Sequence, residues 1–167
     1  MSTLKEYQKK RDFSKTPEPS GKTRKKKKHS IFVVQQHQAR TDHYDFRLEI
    51  GTVLKSWAVP KGLPREQAEK HLAVETEDHP LDYAAFEGKI PKGEYGAGKV
   101  KIWDKGYYRN IRRISIKDSY ESGQIEVDLH GTTLKGNYAL IRTKFNDNPK
   151  NWLIVKMKDD KYTFENG

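Results

Sequence analysis

The chain has 167 residues and no cysteine. That excludes a disulfide framework, a thiolate zinc site and a cysteine nucleophile. No apolar run approaches membrane-spanning length, and the N-terminus lacks the apolar core of a secretion signal. An intracellular soluble protein with no membrane partner is the expectation. Apolar residues are scarce at 34%, matched by 34% charged residues. The shortage is concentrated at the start. Residues 1–29 hold 11 Lys/Arg against Glu6, Asp12 and Glu18, a net of +8. Residues 30–167 hold 22 basic and 20 acidic residues, a net of only +2. The chain therefore divides into a basic leader, 1–29, and a nearly neutral body, 30–167. Lys22 to Lys28 is a like-charge block that reads as a contact for nucleic-acid phosphates, with a solubilising tail as the blander alternative.

Helical periodicity is thin. Residues 4–12, Arg65–Lys70 and Ile116–Ser122 are the helix candidates. Thr16-Pro17-Glu18-Pro19-Ser20-Gly21 reads as an extended linker, because proline fixes φ and biases its predecessor away from helix. Strands are expected at 31–37, 43–50, 53–59, 71–76, 98–104, 124–130, 134–143 and 152–158. Lys161–Phe164 would add a short last one. Gly51-Thr52 marks a hairpin turn. So many short strands indicate a mainly β sandwich or barrel.

The richest stretch is His37 to Arg47. From His43 onward it alternates: His43, Asp45, Arg47 and Glu49 are polar, and Tyr44, Phe46, Leu48 and Ile50 apolar. Strict alternation marks a half-buried strand. His43 and Asp45 would stand about 6–7 Å apart on one face. They can converge on one divalent ion with His37, brought in from the preceding strand. Arg47 beside them is shaped to grip phosphate. The bland alternative is an ordinary solvated face.

His79 reads as a loop histidine held by Pro80, with Tyr83 four residues on. It is a candidate general acid or transition-state stabiliser. Pro91 to Gly98 is glycine-rich but lacks the ending of a phosphate-binding loop. It reads as a turn and bulge entering a strand. Trp57, Trp103 and Trp152 read as core.

Several motifs occur together in one order along nearly the whole chain. They are Arg11-Asp12-Phe13, Thr16 to Pro19, Phe32 to His37, His43 to Glu49, Lys55 to Gly62, Leu72 to Val74, Glu77 to Tyr83, and Gly93 to Gly98. Leu134 to Gly136, Leu140 to Arg142 and Trp152 to Lys156 complete the set. Together they resemble the 3′-phosphoesterase domain of bacterial DNA ligase D, a family with small free-standing members. The resemblance implies a closed eight-stranded antiparallel β-barrel and a Mn²⁺ site, with Co²⁺ or Zn²⁺ as alternatives. It implies removal of a 3′-terminal ribonucleotide, then of the 3′-phosphate, from DNA or RNA/DNA ends. His37, His43 and Asp45 match the metal ligands. Arg47, His79 and Tyr83 match the phosphate contacts. Arg11, Asp12, Glu18 and Gln35 match further positions used for activity. His71 stands where the family often has Arg or Lys.

Gln35, Tyr83 or a metal-bound water are candidate contacts to a ribose 2′-OH. These residues hold no ligase or polymerase module. A separate DNA ligase, polymerase or Ku-type end-binding protein is the expected partner, and a cytoplasmic, nucleoid-associated location is expected. Two competing readings remain at this stage. One is a non-haem iron oxygenase with a 2-His-1-carboxylate triad. The other is a non-enzymatic basic nucleic-acid-binding module.

Overall fold

A computed structural model describes residues 4–21 and 29–158. The Lys22–Lys28 block and the proposed strand Lys161–Phe164 lie outside the described residues. The elements are helix α1 (Leu4–Lys9), strands β1 (Ile31–Gln38), β2 (His43–Ile50), β3 (Val53–Val59) and β4 (Lys70–Pro80), a 3₁₀ turn (Leu81–Ala85), β5 (Gly88–Ile90), β6 (Gly98–Asn110), helix α2 (Ile116–Ser122), β7 (Gln124–Gly131), β8 (Lys135–Arg142), a second 3₁₀ turn (Phe145–Asp147) and β9 (Asn151–Lys156). The ladder runs β1-β2-β3-β4-β9-β8-β7-β6, and β6 pairs back onto β1. The result is the expected closed eight-stranded antiparallel barrel. The short β5 adds a ninth strand on β6. Closure removes the unpaired backbone edges that an open sheet would expose.

The apolar half of each alternating strand fills the barrel. Phe32 and Val34, Phe46 and Leu48, and Trp57 and Val59 are all nearly inaccessible and form one core with Leu129, Leu140, Trp152 and Ile154. Trp57 meets Trp152 edge-on at 5.4 Å. Burying each such side chain stabilises the fold by roughly 1.5–3 kcal/mol. Helix α2 matches its sequence boundaries, since Ser115 caps its start by accepting the Asp118 N–H and Gly123 ends it at φ 84°.

Three expectations need correcting. Arg65–Lys70 is not a helix. Ala68 sits at φ 71°, and the Glu69 carboxylate accepts the N–H groups of Arg65 and Glu66. Lys70 already pairs with Val155 as part of β4. Trp103 is half-buried at the margin of the core and not inside it, packed edge-on against Tyr44 at 5.8 Å. Residues 16–21 are no free linker, because Thr16 and Glu18 are buried.

Two register slips shape the outer wall. Between β1 and β6, Val34 faces Asp104 but Gln35 faces Ile102, leaving Trp103 as the extra residue. A one-residue slip exchanges the faces of every later side chain. Val100 therefore turns outward beneath a second apolar cluster, with Tyr7, Leu54, Tyr83, Phe86 and Ile90. Between β3 and β4, Leu54 faces His79 but Ser56 faces Thr76. That bulge lets Thr76, Glu77 and His79 all reach one pocket.

Candidate active site

The polar face of β2 is not solvated. Asp45 and Arg47 are 6% and 3% exposed. Residues 4–21 and the 3₁₀ turn at 81–85 lie over this side of the barrel, so its outer wall becomes a second interior, lined with charge. The barrel's own interior is filled by apolar side chains.

Strand pairing brings the three metal-competent residues together. His37 faces His43 and Gln35 faces Asp45 across β1 and β2. Ligand atoms of His37, His43 and Asp45 lie within 4.8 Å of one another. His43 Nε2 is 3.2 Å from Asp45 Oδ1, and His37 Nδ1 is 3.6 Å from Asp45 Oδ2. Atoms held about 2.1 Å from a common ion stand roughly 3.0–3.4 Å apart, so the spacing fits a divalent metal with little movement.

The outer nitrogens fix both rings. His37 Nε2 donates to the Gly96 carbonyl at 2.8 Å, and His43 Nδ1 to the Thr41 carbonyl at 3.0 Å. In the neutral ring each carbonyl takes the outer N–H, which leaves the inner nitrogen's lone pair for an ion; with no ion bound, a proton on the inner nitrogen is donated to Asp45 instead. Burial alone would push the Asp45 carboxyl up. Arg47 and the hydrogen bonds from both histidines outweigh it and hold the group well below the usual carboxylate range. The hydrogen bond to Asp45 in turn raises His43 above an ordinary imidazole, against burial.

A cationic wall stands beside the triad. Arg47 Nε donates to Gln35 Oε1 at 2.7 Å, Nη2 is 3.5 Å from Asp45, and the guanidinium lies 4.9 Å over the Tyr83 ring. Arg11 reaches in from the N-terminal segment to Glu18 at 3.0 Å and Glu77 at 3.2 Å. Glu18 also accepts the Tyr83 hydroxyl at 2.8 Å and the Thr16 hydroxyl at 2.9 Å. Two buried arginines thus oppose three buried carboxylates, Glu18, Asp45 and Glu77, a net of −1. A divalent cation reverses that sign and suits the pocket to an anion.

The DNA Ligase D 3′-phosphoesterase domain profile matches residues 35–142. The chain belongs to the DNA ligase D 3′-phosphoesterase domain family. It is 50% identical over 159 residues to the multifunctional non-homologous end joining DNA repair protein LigD of Mycobacterium tuberculosis, covering 95% of this chain and 20% of that protein. LigD of Pseudomonas aeruginosa is 48% identical over 93% of this chain and 19% of its own length. LigD of Mycolicibacterium smegmatis is 50% identical over 95% and 21%. The chain spans about a fifth of the length of these relatives.

Of the residues matched to this phosphoesterase family, the fold gathers His37, His43, Asp45, Arg47, His79, Tyr83, Arg11 and Glu18 around one pocket. Gln35 stands directly behind it. Gln35 is fully buried, and its amide donates to the carbonyls of Tyr83 and Phe86 while its oxygen holds Arg47. It orients the guanidinium and has no free group for a ribose hydroxyl. The Tyr83 hydroxyl is likewise engaged by Glu18. Asp12 is exposed and does not line the pocket, and its carboxylate accepts the N–H and hydroxyl of Ser14 in a local turn. His71 is remote, at the far end of β4, with its nitrogens engaged by the Gly62 carbonyl and Glu69.

His79 lies in β4, not in a loop, and is 5% exposed. Burial, then Arg47 and Arg11, push its pKa well below that of an ordinary imidazole. It is therefore neutral, with Nδ1 donating to the Glu77 carbonyl at 3.0 Å. Sequence reasoning missed Glu77, which the β4 bulge delivers, and the carbonyls of Thr41 and Gly96. Backbone groups carry no residue-type signal.

Gln35→Ala would leave Arg47 Nε and two buried carbonyls without partners. Each such group costs about 1–3 kcal/mol. The variant is expected to lose roughly 3 kcal/mol or more in urea unfolding. A midpoint equal to that of the wild type would show that Arg47 finds other support.

Proposed function

We propose that this chain is a divalent-metal-dependent 3′-end-processing phosphoesterase. It removes a 3′-terminal ribonucleotide and then the 3′-phosphate from DNA or RNA/DNA ends, leaving a 3′-OH for end-joining repair. The observation that carries the reading is the His37–His43–Asp45 triad, with both rings fixed toward one point and Arg47 alongside. His37, His43 and Asp45 would hold the ion, Mn²⁺ or otherwise Co²⁺ or Zn²⁺. When bound, such an ion supplies a Lewis acid for a phosphate oxygen and lowers the pKa of a bound water.

The remaining work falls to the protein's own groups. Arg47, locked by Gln35, presents donors to the phosphate and opposes the charge that grows on it. Arg11 adds a second cation, held by Glu18 and Glu77. Neutral His79, with Nδ1 occupied, offers a lone pair at Nε2. The burial and arginines that keep it neutral make it a weak base in the absence of substrate; a phosphate anion beside it would offset them and let Nε2 act as a donor to the growing charge. A separate ligase, polymerase or Ku-type protein would use the healed end in the cytoplasm.

Charge outside the pocket supports a DNA substrate. Lys89 and Lys99 face each other across β5 and β6, and Lys101 follows Lys99 on the same face. All three are exposed. Directly opposed like charges destabilise a sheet, and an approaching phosphate strand removes the penalty. By alternation Lys99 and Lys101 point to the side of β6 opposite Val100, the partner of His37, where the strand passes the triad. The Lys22–Lys28 block would add further phosphate contacts. In Lys99→Ala/Lys101→Ala, the slope of log K against log salt for duplex DNA should flatten by about 1.8, at ~0.9 per phosphate lost. Turnover at saturating substrate should hold. An unchanged slope would place the DNA elsewhere.

The deciding experiment is incubation with Mn²⁺ and primer–templates ending in one ribonucleotide or in all-deoxy sequence. The ribonucleotide primer should shorten to a 3′-phosphate and then to a 3′-OH, and the all-deoxy primer should be largely spared. Metal-independent binding without turnover would support the nucleic-acid-binding module instead. Oxygen- and oxoacid-dependent turnover would support the oxygenase.

A further inference from the structure

Tyr95 is the exposed aromatic side chain of the active-site pocket, 49% accessible, whereas Tyr83 on the same wall is 2% accessible. Its position is built. Two turns, Glu94 N–H to Pro91 O and Ala97 N–H to Glu94 O, carry it between β5 and β6. Gly93 and Gly96 on either side adopt φ 96° and 75°, conformations open to glycine without strain. The next residue, Gly96, supplies the carbonyl that fixes His37. Tyr95 therefore stands one residue from the metal-competent triad. Across the pocket mouth, Lys10 donates to its hydroxyl at 3.3 Å, and Lys10 Nζ and the Arg11 guanidinium lie 4.6 and 5.4 Å from the ring.

We infer that Tyr95 is the stacking platform for the base of the 3′-terminal nucleotide, a subsite for a nucleobase of any sequence. The inference rests on the 3′-end-processing reading. An exposed aromatic ring with two cations over it has the two elements of sequence-tolerant single-strand recognition. The ring stacks on a base, and the cations meet the backbone beside it. Every base offers a π-face, so such a platform seats any terminal nucleotide while Arg47 and the triad take the phosphate. The competing role is a tether, in which Tyr95 serves only to hold α1 through Lys10. Phenylalanine separates the two, since it keeps the ring and loses the hydroxyl.

The test uses the full chain, metal-free, with a primer–template ending in a 2-aminopurine ribonucleotide. Fluorescence should change on binding to wild type and Tyr95→Phe, and stay near the free value with Tyr95→Ala at saturating protein. With Mn²⁺, KM for the ribonucleotide end should rise about ten- to a hundredfold in Tyr95→Ala, the range expected for one lost base stack. Tyr95→Phe should stay close to wild type. On a primer ending in an abasic ribose, all three proteins should behave alike. Equal fluorescence and KM in Tyr95→Ala and wild type would overturn the inference, and so would Tyr95→Phe behaving like Tyr95→Ala. Failure of the wild type to trim any ribonucleotide end would instead defeat the function itself, while the fluorescence change would still report the stack.

Discussion

Replacing Asp45 with asparagine is expected to abolish divalent-ion binding and to lower turnover by on the order of 10³-fold or more. Asparagine keeps the shape of the side chain and removes the charge. Asp45 is the anionic member of the triad, and the inner nitrogens of both histidines face it. A bound ion that polarises phosphate and water is worth several kcal/mol in the transition state, and each 1.36 kcal/mol is tenfold in rate. Mn²⁺ titration by electron paramagnetic resonance reads the binding, and release of 3′-phosphate reads the chemistry. Circular dichroism should show the barrel intact, because its core of Phe46, Trp57 and Trp152 lies on the opposite side of the sheet. Unchanged Mn²⁺ affinity together with unchanged turnover would remove Asp45 from the site.

Arg47→Ala separates phosphate binding from metal binding. On the proposed reading Arg47 would supply donors to the phosphate but no metal ligand. Removing it should lower both diesterase and monoesterase turnover by about 10²–10³-fold, the usual effect of losing one donor to a developing oxyanion. The sign of the effect on the ion is also fixed. Arg47 is the largest influence holding the Asp45 carboxyl down against burial. Without that positive neighbour the site repels a cation less, so Mn²⁺ affinity should hold or rise. Arg47→Lys should recover little, because an ammonium cannot keep the planar hydrogen bond to Gln35 while gripping two oxygens. Loss of bound Mn²⁺ in Arg47→Ala would mean that the arginine serves the architecture of the pocket and not its chemistry.

Much of the triad could be read from the chain alone. His43, Asp45 and Arg47 share a face because a strand has period two, and His37 arrives across the hairpin. What alternation could not show is that this face is covered. The cover depends on contacts distant in sequence, such as Arg11 with Glu77 and Tyr83 with Glu18. Register slips are equally silent in a sequence. One leaves Trp103 as the extra residue of β6 and turns Val100 outward, and the other delivers Glu77 beside His79. The Arg65–Lys70 segment shows a related gap. Its composition favours helix, but the Glu69 carboxylate and the pairing of Lys70 with Val155 decide otherwise.

Residues 4–21 touch the barrel side through side chains: the rings of Tyr7 and Phe13, the ammonium of Lys10, the guanidinium of Arg11 and the carboxylate of Glu18. Among the described residues, their backbone hydrogen bonds from one main-chain group to another are local turns, whereas each barrel strand is tied into a closed ladder. The cover is therefore a separate unit of lower local stability. It can lift while the ladder stays shut, and with it go one wall of the pocket and the partner that holds Tyr83. On heating or mild denaturation, such a protein becomes inactive while still folded. Its working lifetime would be set by the grip of these few side chains, not by the durability of the barrel beneath them.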